Sequence, residues 1–246
     1  MCRPAWTDEY KVHSYEVDIH ARATLPVICK YLQESAWNHA EHLQIGFSAL
    51  LSKNLVWILS RQQIRIVKYP KWGEQITVET WPSGKDRLYC YRDFKVLDAD
   101  KELLVSATST WFAVDLHSRR PQRTDKYLDA GIISGASLFD ERAIKITQDT
   151  LTKNVKDVVV GYQDLDVNEH VNNVRYVEWI LTGFDVEFQK RHQVQQLDIN
   201  YLSEARYNDT LSINVSQSGE RIFKHQIVRK RDDVDVCRTL SCWQLI

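Results

Sequence analysis

The sequence lacks an apolar run long enough to cross a membrane. Its first nine residues have neither the apolar core of a secretory signal nor the arginine- and serine-rich, acid-poor composition of a transit peptide. With 43% hydrophobic and 26% charged residues, the composition is that of a soluble globular protein. We therefore predict a cytoplasmic protein without a membrane span.

The chain also lacks the cysteine pattern of a disulfide framework or a zinc site. Its five cysteines are odd in number, and none forms a Cys-x-x-Cys pair. His39 and His42 lie three residues apart in a predicted helix but form a pair without a third ligand, so we predict no metal and no cofactor. The 32 basic and 33 acidic residues leave a net charge of −1, which argues against nucleic acid as a partner.

The segment from Asp166 to Trp179 concentrates polar groups immediately before an amphipathic helix. Asp166, Asn168 and His170 recur every second residue, so an extended backbone would place a carboxylate, an amide and an imidazole on one side. Asn172 or Asn173 can cap the helix that follows. Apolar residues at helical spacing predict its core face: Val174, Val177, Leu181, Phe184 and Phe188. Spacing alone favours a polar loop with an ordinary asparagine cap.

The carboxyl half of the chain repeats the pattern of the amino half. A predicted strand (10–20) and helix (25–42) correspond to a strand (158–162) and a helix from about residue 172. Three anchors keep the same order, with offsets of 176 − 31 = 145 at the tyrosines, 199 − 64 = 135 at the isoleucines and 243 − 111 = 132 at the tryptophans.

Each copy is predicted to form a strand, a long helix and then four strands joined by tight turns. Alternating strand patterns favour an antiparallel sheet curled around one helix, which is an α+β arrangement. We predict an amino-terminal unit over residues 1–117, a linker over 118–154 and a carboxyl-terminal unit over 155–246.

The pattern Asp-x-Asn-x-His-Val-Asn-Asn-x-x-Tyr-x-x-Trp over residues 166–179 resembles the catalytic signature of the plant-type acyl-acyl carrier protein thioesterases. Residues 69–81 resemble the first-half hairpin of that family, and residues 200–205 resemble its glutamate-bearing strand. The resemblance implies a tandem hotdog fold, hydrolysis of fatty acyl-acyl carrier protein (acyl-ACP) in fatty acid biosynthesis, and the acidic carrier protein as partner.

The resemblance also implies roles for the polar residues. Glu204 would act as general base or hold the attacking water, and Asn168 would hold the water or the substrate carbonyl. Asp166 would orient Asn168 or His170, and His170 would relay a proton to the leaving sulfur. The sequence leaves open which carboxylate, Glu204 or Asp166, is the base, because two nearby carboxylates can share a coupled titration. The backbone N–H groups of Val171, Asn172 and Asn173 are candidate oxyanion donors, because the first N–H groups of a helix have no intrahelical partner.

One departure from the family pattern bears on mechanism. Ala205 stands where the plant enzymes carry a cysteine. A mechanism in which that cysteine attacks the thioester is excluded here, because a methyl side chain is not a nucleophile.

The first unit carries Leu25 at the position aligned with His170, since 170 − 145 = 25. We therefore assign catalysis to the second unit, and the resemblance implies that the first selects acyl chain length. Five residues of the first helix are candidates to line an acyl tunnel, although core packing alone predicts the same set: Ile28, Tyr31, Leu32, Ala36 and Trp37.

Two basic clusters are candidates to dock the acidic carrier protein. One lies in the predicted linker and the other in a late turn: Arg119, Arg120, Arg123 and Lys126, and Arg229, Lys230 and Arg231. Such short clusters are also common on solvated surfaces.

Two alternative functions keep the same fold. A hotdog thioesterase acting on acyl-coenzyme A would use the same hydrolytic groups with a different docking surface. A non-catalytic acyl-binding protein would need the apolar tunnel but not the polar set. Because two hotdog units in one chain resemble a fused dimer, either a monomer or a homodimer is expected.

Overall fold

The computed structural model describes residues 5–126, 128, 130–133, 135–147 and 153–246. The chain divides into two compact units, Met1–Ala143 and Ile144–Ile246, called here the first and second units. The predicted linker, 118–154, therefore contributes residues to both units. No helix in the described part of the chain is long and apolar enough to span a membrane.

The first unit is an antiparallel sheet with one long helix packed on it. Helix α1 contacts strands β1 and β3, and the strand order across the sheet is β1-β3-β4-β5-β2. The predicted helix over 25–42 is confirmed. The elements are β1 (Trp6–Lys11), α1 (Leu25–His42), α2 (Phe47–Leu51), β2 (Leu55–Ile66), β3 (Gln75–Lys85), β4 (Cys90–Leu97) and β5 (Leu103–Asp115).

The sequence explains why α1 forms where it does. Pro26 lies in the first turn of α1, where a missing N–H costs no hydrogen bond. Apolar residues at helical spacing, among them Ile28 and Leu32, are almost fully buried against the sheet. Burial of this stripe stabilises the helix more than its intrinsic propensity does.

The second unit repeats the arrangement. Its strand order is β6-β8-β9-β10-β7, which matches the order of the first unit element by element. The elements are β6 (Lys153–Val159), α3 (Asn173–Leu181), α4 (Val186–Arg191), β7 (His192–Tyr201), β8 (Thr210–Gly219), β9 (Ile222–Arg229) and β10 (Val234–Leu245). The tandem hotdog prediction is confirmed at the level of each unit.

The continuous helix predicted from the apolar spacing of the second unit is wrong. α3 ends at Leu181, and Asp185 starts α4 by accepting a hydrogen bond of 2.7 Å from the Phe188 N–H. Phe184 and Phe188 still meet, with ring centroids 4.9 Å apart, and both contact Trp243. The spacing identified residues that pack together but not the break between them.

The strand predicted over residues 10–20 is also wrong beyond Lys11. A short 3-10 helix, Ser14–Glu16, follows β1 and leads into a turn. In this turn the Asp18 carboxylate accepts backbone hydrogen bonds from His20 at 2.8 Å and Arg22 at 3.1 Å. An aspartate that bonds the backbone ahead of it favours a turn over a strand.

The register of the internal repeat differs from the prediction at one of three anchors. The matched tryptophan hydrogen bonds, Trp111 to Ser109 at 2.8 Å and Trp243 to Ser241 at 3.0 Å, confirm the offset of 132. The helices, however, begin at residues 25 and 173, so their offset is 173 − 25 = 148 and not 145. At this offset Arg22, not Leu25, matches His170, since 170 − 148 = 22.

Two matched residues with left-handed backbones generate a stability prediction. Ala21 has a φ of 57°, and Glu169, 148 residues later, has a φ of 60°. Glycine adopts this conformation without the steric cost that a Cβ brings. Because Ala21 is exposed, Ala21→Gly should stabilise the protein by about 1 kcal/mol.

Thermal unfolding followed by circular dichroism checks this prediction. A rise of about 2–4 °C in the midpoint is expected for a chain of this size. Ala49→Gly, in the right-handed helix α2, is the matched control and should lower the midpoint. A lower midpoint for Ala21→Gly would contradict the strain argument.

Candidate active site

Residues 166–170 form a tight turn rather than the extended segment that the alternating polar pattern predicted. Oδ1 of Asp166 accepts backbone hydrogen bonds from Asn168 at 2.8 Å and His170 at 3.4 Å. The Asp166 N–H donates to the His170 carbonyl at 2.8 Å, and Leu165 bridges Val171. Asp166 therefore orients Asn168 and His170 through their backbone.

A second loop, residues 202–209, carries Glu204 between β7 and β8. The Val171 N–H donates to the Ala205 carbonyl at 3.0 Å and thereby ties this loop to the 166–170 turn. Leu202 is held on the other side by a hydrogen bond of 3.0 Å to the Val236 carbonyl. This arrangement brings together residues that are 34 positions apart in sequence, since 204 − 170 = 34.

His170 and Glu204 are in direct contact at the junction of the two loops. Nε2 of His170 lies 3.1 Å from Oε2 of Glu204, and their side chains are 20% and 30% exposed. The Arg206 guanidinium lies 3.4 Å from the same carboxylate oxygen and 3.5 Å from His170 Nε2. When Nε2–H donates to Glu204, that nitrogen has no lone pair for Arg206, so the guanidinium pairs with the carboxylate.

The three predicted oxyanion donors at the start of α3 differ in their hydrogen bonding. The N–H groups of Val171 and Asn172 are already bonded, to the carbonyls of Ala205 and Asp164, so these two predictions are wrong. The Asn172 side chain caps the helix by accepting from the Val174 N–H at 2.9 Å. The Asn173 N–H has no hydrogen-bond partner among the described residues, which leaves it as the candidate donor.

Ala205 is fully buried although its neighbour Glu204 reaches the junction. Its backbone also hydrogen-bonds the buried side chain of Tyr176, and burial raises the pKa of the Tyr176 hydroxyl well above its ordinary value. Glu204 and Arg206 contact His170, whereas the Ala205 side chain between them is buried. A side chain at position 205 therefore does not reach the polar cluster.

The first unit contains the same turn with different side chains. The Ala23 N–H donates to the Pro70 carbonyl at 2.8 Å, which matches the bond from Val171 to Ala205. Arg22 takes the place of His170, and Tyr69 takes the place of Glu204, since 204 − 135 = 69. The Arg22 guanidinium lies over the Tyr69 ring at 5.8 Å and pairs with Asp18 at 3.3 Å. This turn holds neither a carboxylate base nor an imidazole at these two positions.

Comparison with known proteins identifies the family. A sequence model described as the acyl-ACP thioesterase N-terminal domain matches residues 4–132, and one described as the C-terminal domain matches residues 147–245. The chain belongs to the acyl-ACP thioesterase family. The family match covers both units.

Related proteins and structures agree with this membership. The chain is 27% identical to a chloroplastic palmitoyl-acyl carrier protein thioesterase of Gossypium hirsutum, over 97% of this chain and 63% of the relative. It is 30% identical to the chloroplastic oleoyl-acyl carrier protein thioesterase 2 of Arabidopsis thaliana, over 89% of this chain and 65% of the relative. The chain thus spans less than two thirds of the length of these curated relatives.

A solved structure matches nearly end to end. The crystal structure of an acyl-ACP thioesterase from Bacteroides thetaiotaomicron has a TM-score of 0.89 and 27% identity, and the match covers 98% of each chain. The 12:0-ACP thioesterase from Umbellularia californica shares the fold, with a TM-score of 0.88 and 21% identity.

The candidate acyl-pocket residues do not all face inward. Ile28, Tyr31, Leu32 and Ala36 are buried, as either a pocket or a packed core requires. Trp37 is 43% exposed and stacks on Phe47, so it does not line the interior of the first unit.

The candidate docking cations also fall into different environments. Arg119, Arg120 and Arg123 are exposed, and Arg123 pairs with Asp125 at 2.7 Å. The side chain of Lys126 lies outside the described residues. Lys230 and Arg231 are exposed and paired with Asp157 and Asp209. Arg229 is buried and turned toward Glu204, so it is wrong as a docking residue.

Sequence reasoning missed Arg206 and the role of Arg229 at this site. Arg206 is only two residues from Glu204, and this proximity was a signal that could have found it. Arg229 is 25 residues from Glu204 and meets it only through the fold. Among the described residues, no group of three or more His, Cys, Asp or Glu side chains is arranged to hold a metal ion.

The hydrogen bonds of the turn generate a prediction that amide exchange can check. Asp166→Ala removes the acceptor of the Asn168 and His170 N–H groups, so hydrogen exchange at both should accelerate about tenfold or more. Asp166→Asn keeps a neutral acceptor and should give a smaller change. Asp18→Ala is the matched control and should accelerate only His20 and Arg22. Unchanged exchange in Asp166→Ala would contradict this account of the turn.

Proposed function

We propose that this protein hydrolyses the thioester of fatty acyl-acyl carrier protein and releases a free fatty acid and the holo-carrier protein. One observation carries the proposal: a histidine and a glutamate meet at 3.1 Å, in a chain of the acyl-ACP thioesterase family. The names of the curated relatives support the substrate class.

The reaction needs an activated water, a donor for the oxyanion and a proton for the leaving sulfur. Glu204 accepts a proton from water, whose oxygen bonds to the acyl carbon. The carbonyl oxygen gains negative charge, and the Asn173 N–H and the Asn168 amide stabilise it. The C–S bond then breaks as the carbonyl re-forms, and the proton that Glu204 took from the water passes through His170 to the leaving sulfur, which returns both side chains to their starting forms. A thiol pKa of about 8.5 makes this departure easy compared with that of an alcohol.

Asp166 and Arg206 support this chemistry from either side of the pair. Asp166 fixes the backbone of the turn that carries Asn168 and His170. The Arg206 guanidinium lies 3.4 Å from the Glu204 carboxylate and donates a hydrogen bond to it, which helps to orient the carboxylate.

The carrier protein is the proposed partner, and the exposed cations are its proposed docking sites. Arg119, Arg120 and Arg123 form one exposed basic segment, while Lys230 and Arg231 lie close in sequence to Arg229. Selection of chain length by the first unit, a cytoplasmic location and a monomeric or homodimeric state remain predictions. The curated relatives carry chloroplastic names.

Thiol release from a panel of acyl carrier proteins and acyl-coenzyme A esters of increasing chain length tests the proposal. Carrier-bound chains should be hydrolysed faster. Preference for coenzyme A esters would keep the chemistry and change the substrate. Binding without release from any ester would support a non-catalytic acyl-binding protein instead.

Removal of the base should abolish most of this activity. Glu204→Gln keeps the size and hydrogen bonding of the side chain but cannot accept the proton, so turnover should fall at least about tenfold. Asp166→Asn should also cost about tenfold, because the charge beside the turn is lost. Rates near wild type in both variants would remove this site from the mechanism.

The burial of position 205 predicts that a cysteine there is not a nucleophile. Ala205→Cys should leave turnover within about threefold of wild type, and the double variant with Glu204→Gln should stay as inactive as Glu204→Gln alone.

Alkylation with iodoacetamide and mass spectrometry provide the readout for this prediction. The thiol at position 205 should resist labelling, whereas Tyr207→Cys, at a position 58% exposed, is the control that should label. An acyl group trapped on Cys at position 205 would contradict the prediction.

A further inference from the structure

Arg229 reaches the backbone of the residue that we propose as the base. It is the last residue of β9, and its Nη1 donates a hydrogen bond to the Glu204 carbonyl. The Arg229 side chain is only 11% exposed. A charged donor on a carbonyl makes a stronger hydrogen bond than a neutral one. The contact therefore restrains the peptide at Glu204 and, with it, the direction in which the side chain leaves the loop.

Asp232 holds the guanidinium in place. Nε and Nη2 of Arg229 donate to the two carboxylate oxygens of Asp232 at 2.9 and 2.8 Å, a two-pronged geometry that fixes the plane of the guanidinium. These hydrogen bonds raise the pKa of Arg229 and lower that of Asp232, so both partners stay charged. The remaining guanidinium nitrogen, Nη1, donates to the Glu204 carbonyl.

The first unit shows that the fold does not need this arginine. In both units the strand pair ends in a matched bulge, after Pro82 paired with Arg92 and after Gln217 paired with Phe223. The offset is 223 − 92 = 131, and 229 − 131 = 98. Asp98 therefore stands in the place of Arg229.

The residue at that place in the first unit has a local role. The Asp98 carboxylate accepts backbone hydrogen bonds from Asp100 at 3.0 Å and Glu102 at 2.9 Å, and so closes its own hairpin. The unit that lacks the His–Glu pair thus forms the same hairpin without an arginine.

We propose that Arg229, oriented by Asp232, is a positioning residue that holds Glu204 in line with His170. This inference rests on the function proposed above. Without the guanidinium the Glu204 carbonyl loses this restraint, and the carboxylate shifts from its position 3.1 Å from His170. A displacement of about 1 Å at a reacting group can reduce the rate about 100-fold.

The chain contains a matched control. Arg238 also pairs with an aspartate three residues away, Asp235, and its Nη1 also donates to a backbone carbonyl, that of Ile146 at 3.3 Å. The side chains of this pair are 18% and 13% exposed. The two arginines share their chemistry and partial burial, but only Arg229 contacts the residue proposed as the base.

Steady-state kinetics on the acyl carrier protein substrate that wild type hydrolyses fastest test the inference. Arg229→Met should lower kcat about 10- to 100-fold and leave KM within about threefold, because the substrate still binds while the base is misplaced. Arg229→Lys should recover part of kcat, since an ammonium can still donate to the carbonyl. Arg238→Met should keep kcat within about threefold.

The outcomes separate this inference from the proposed function. Wild-type kcat in Arg229→Met, with Glu204→Gln inactive, would overturn the inference alone. Equal losses of kcat in Arg229→Met and Arg238→Met, or no recovery in Arg229→Lys, would assign Arg229 a structural role and overturn it as well. Full activity in Glu204→Gln would remove the proposed base and the inference with it.

Thermal unfolding checks that each variant is folded, and all assays are run below the lowest unfolding midpoint among the variants. If Arg229→Met does not fold, Asp232→Asn provides the test, because it weakens the hold on the guanidinium without removing it. Asp232→Asn should lower kcat about three- to tenfold, and a kcat equal to wild type would overturn the inference.

Discussion

The backbone hydrogen bond from the Val171 N–H to the Ala205 carbonyl joins the two loops on which the candidate site depends. His170 immediately precedes the donor residue and Glu204 immediately precedes the acceptor residue. One main-chain contact of 3.0 Å therefore sets the separation of two side chains that belong to distant parts of the sequence. The first unit forms the equivalent bond between Ala23 and Pro70, so this contact is a property of the fold and not of the chemistry.

Because the contact is common to both units, the difference between the two turns lies in a few side chains. Arg22 and Tyr69 pack as a cation over a ring, whereas His170 and Glu204 form a polar pair. Both turns have the same backbone. Each has a residue with positive φ at the matched position and an aspartate that accepts a hydrogen bond from the backbone N–H two residues ahead. The two turns share a backbone frame, and at the matched positions only the second turn carries an imidazole and a carboxylate.

Three kinds of restraint then act on the proposed base. The Val171 N–H holds the peptide on its carboxyl side, Arg229 holds its own carbonyl, and His170 and Arg206 meet its carboxylate. Each restraint comes from a different part of the chain. Such convergence limits the movement of a partly exposed glutamate on a loop, which would otherwise sample many rotamers.

The sequence by itself determined the elements whose signal is local. Apolar spacing and Pro26 determined helix α1, and alternating patterns determined the strands. The polar motif over 166–179 indicated the family and predicted candidate site residues. Local pattern predicted structure less well where a side chain competes with the backbone for backbone hydrogen bonds. The turns at Asp18 and Asp166 looked extended, because a two-residue spacing is shared by strands and by aspartates that bond the backbone two residues ahead.

The tertiary structure alone decided the remainder. It showed that Val171 and Asn172 have no free N–H, that Ala205 points inward, and that Arg229 turns from the surface toward Glu204. The bonds of Val171 and Arg229 depend on hydrogen-bond partners that lie far away in sequence. Spacing along the chain cannot report such partners, because they are brought together only when the sheet of the second unit forms.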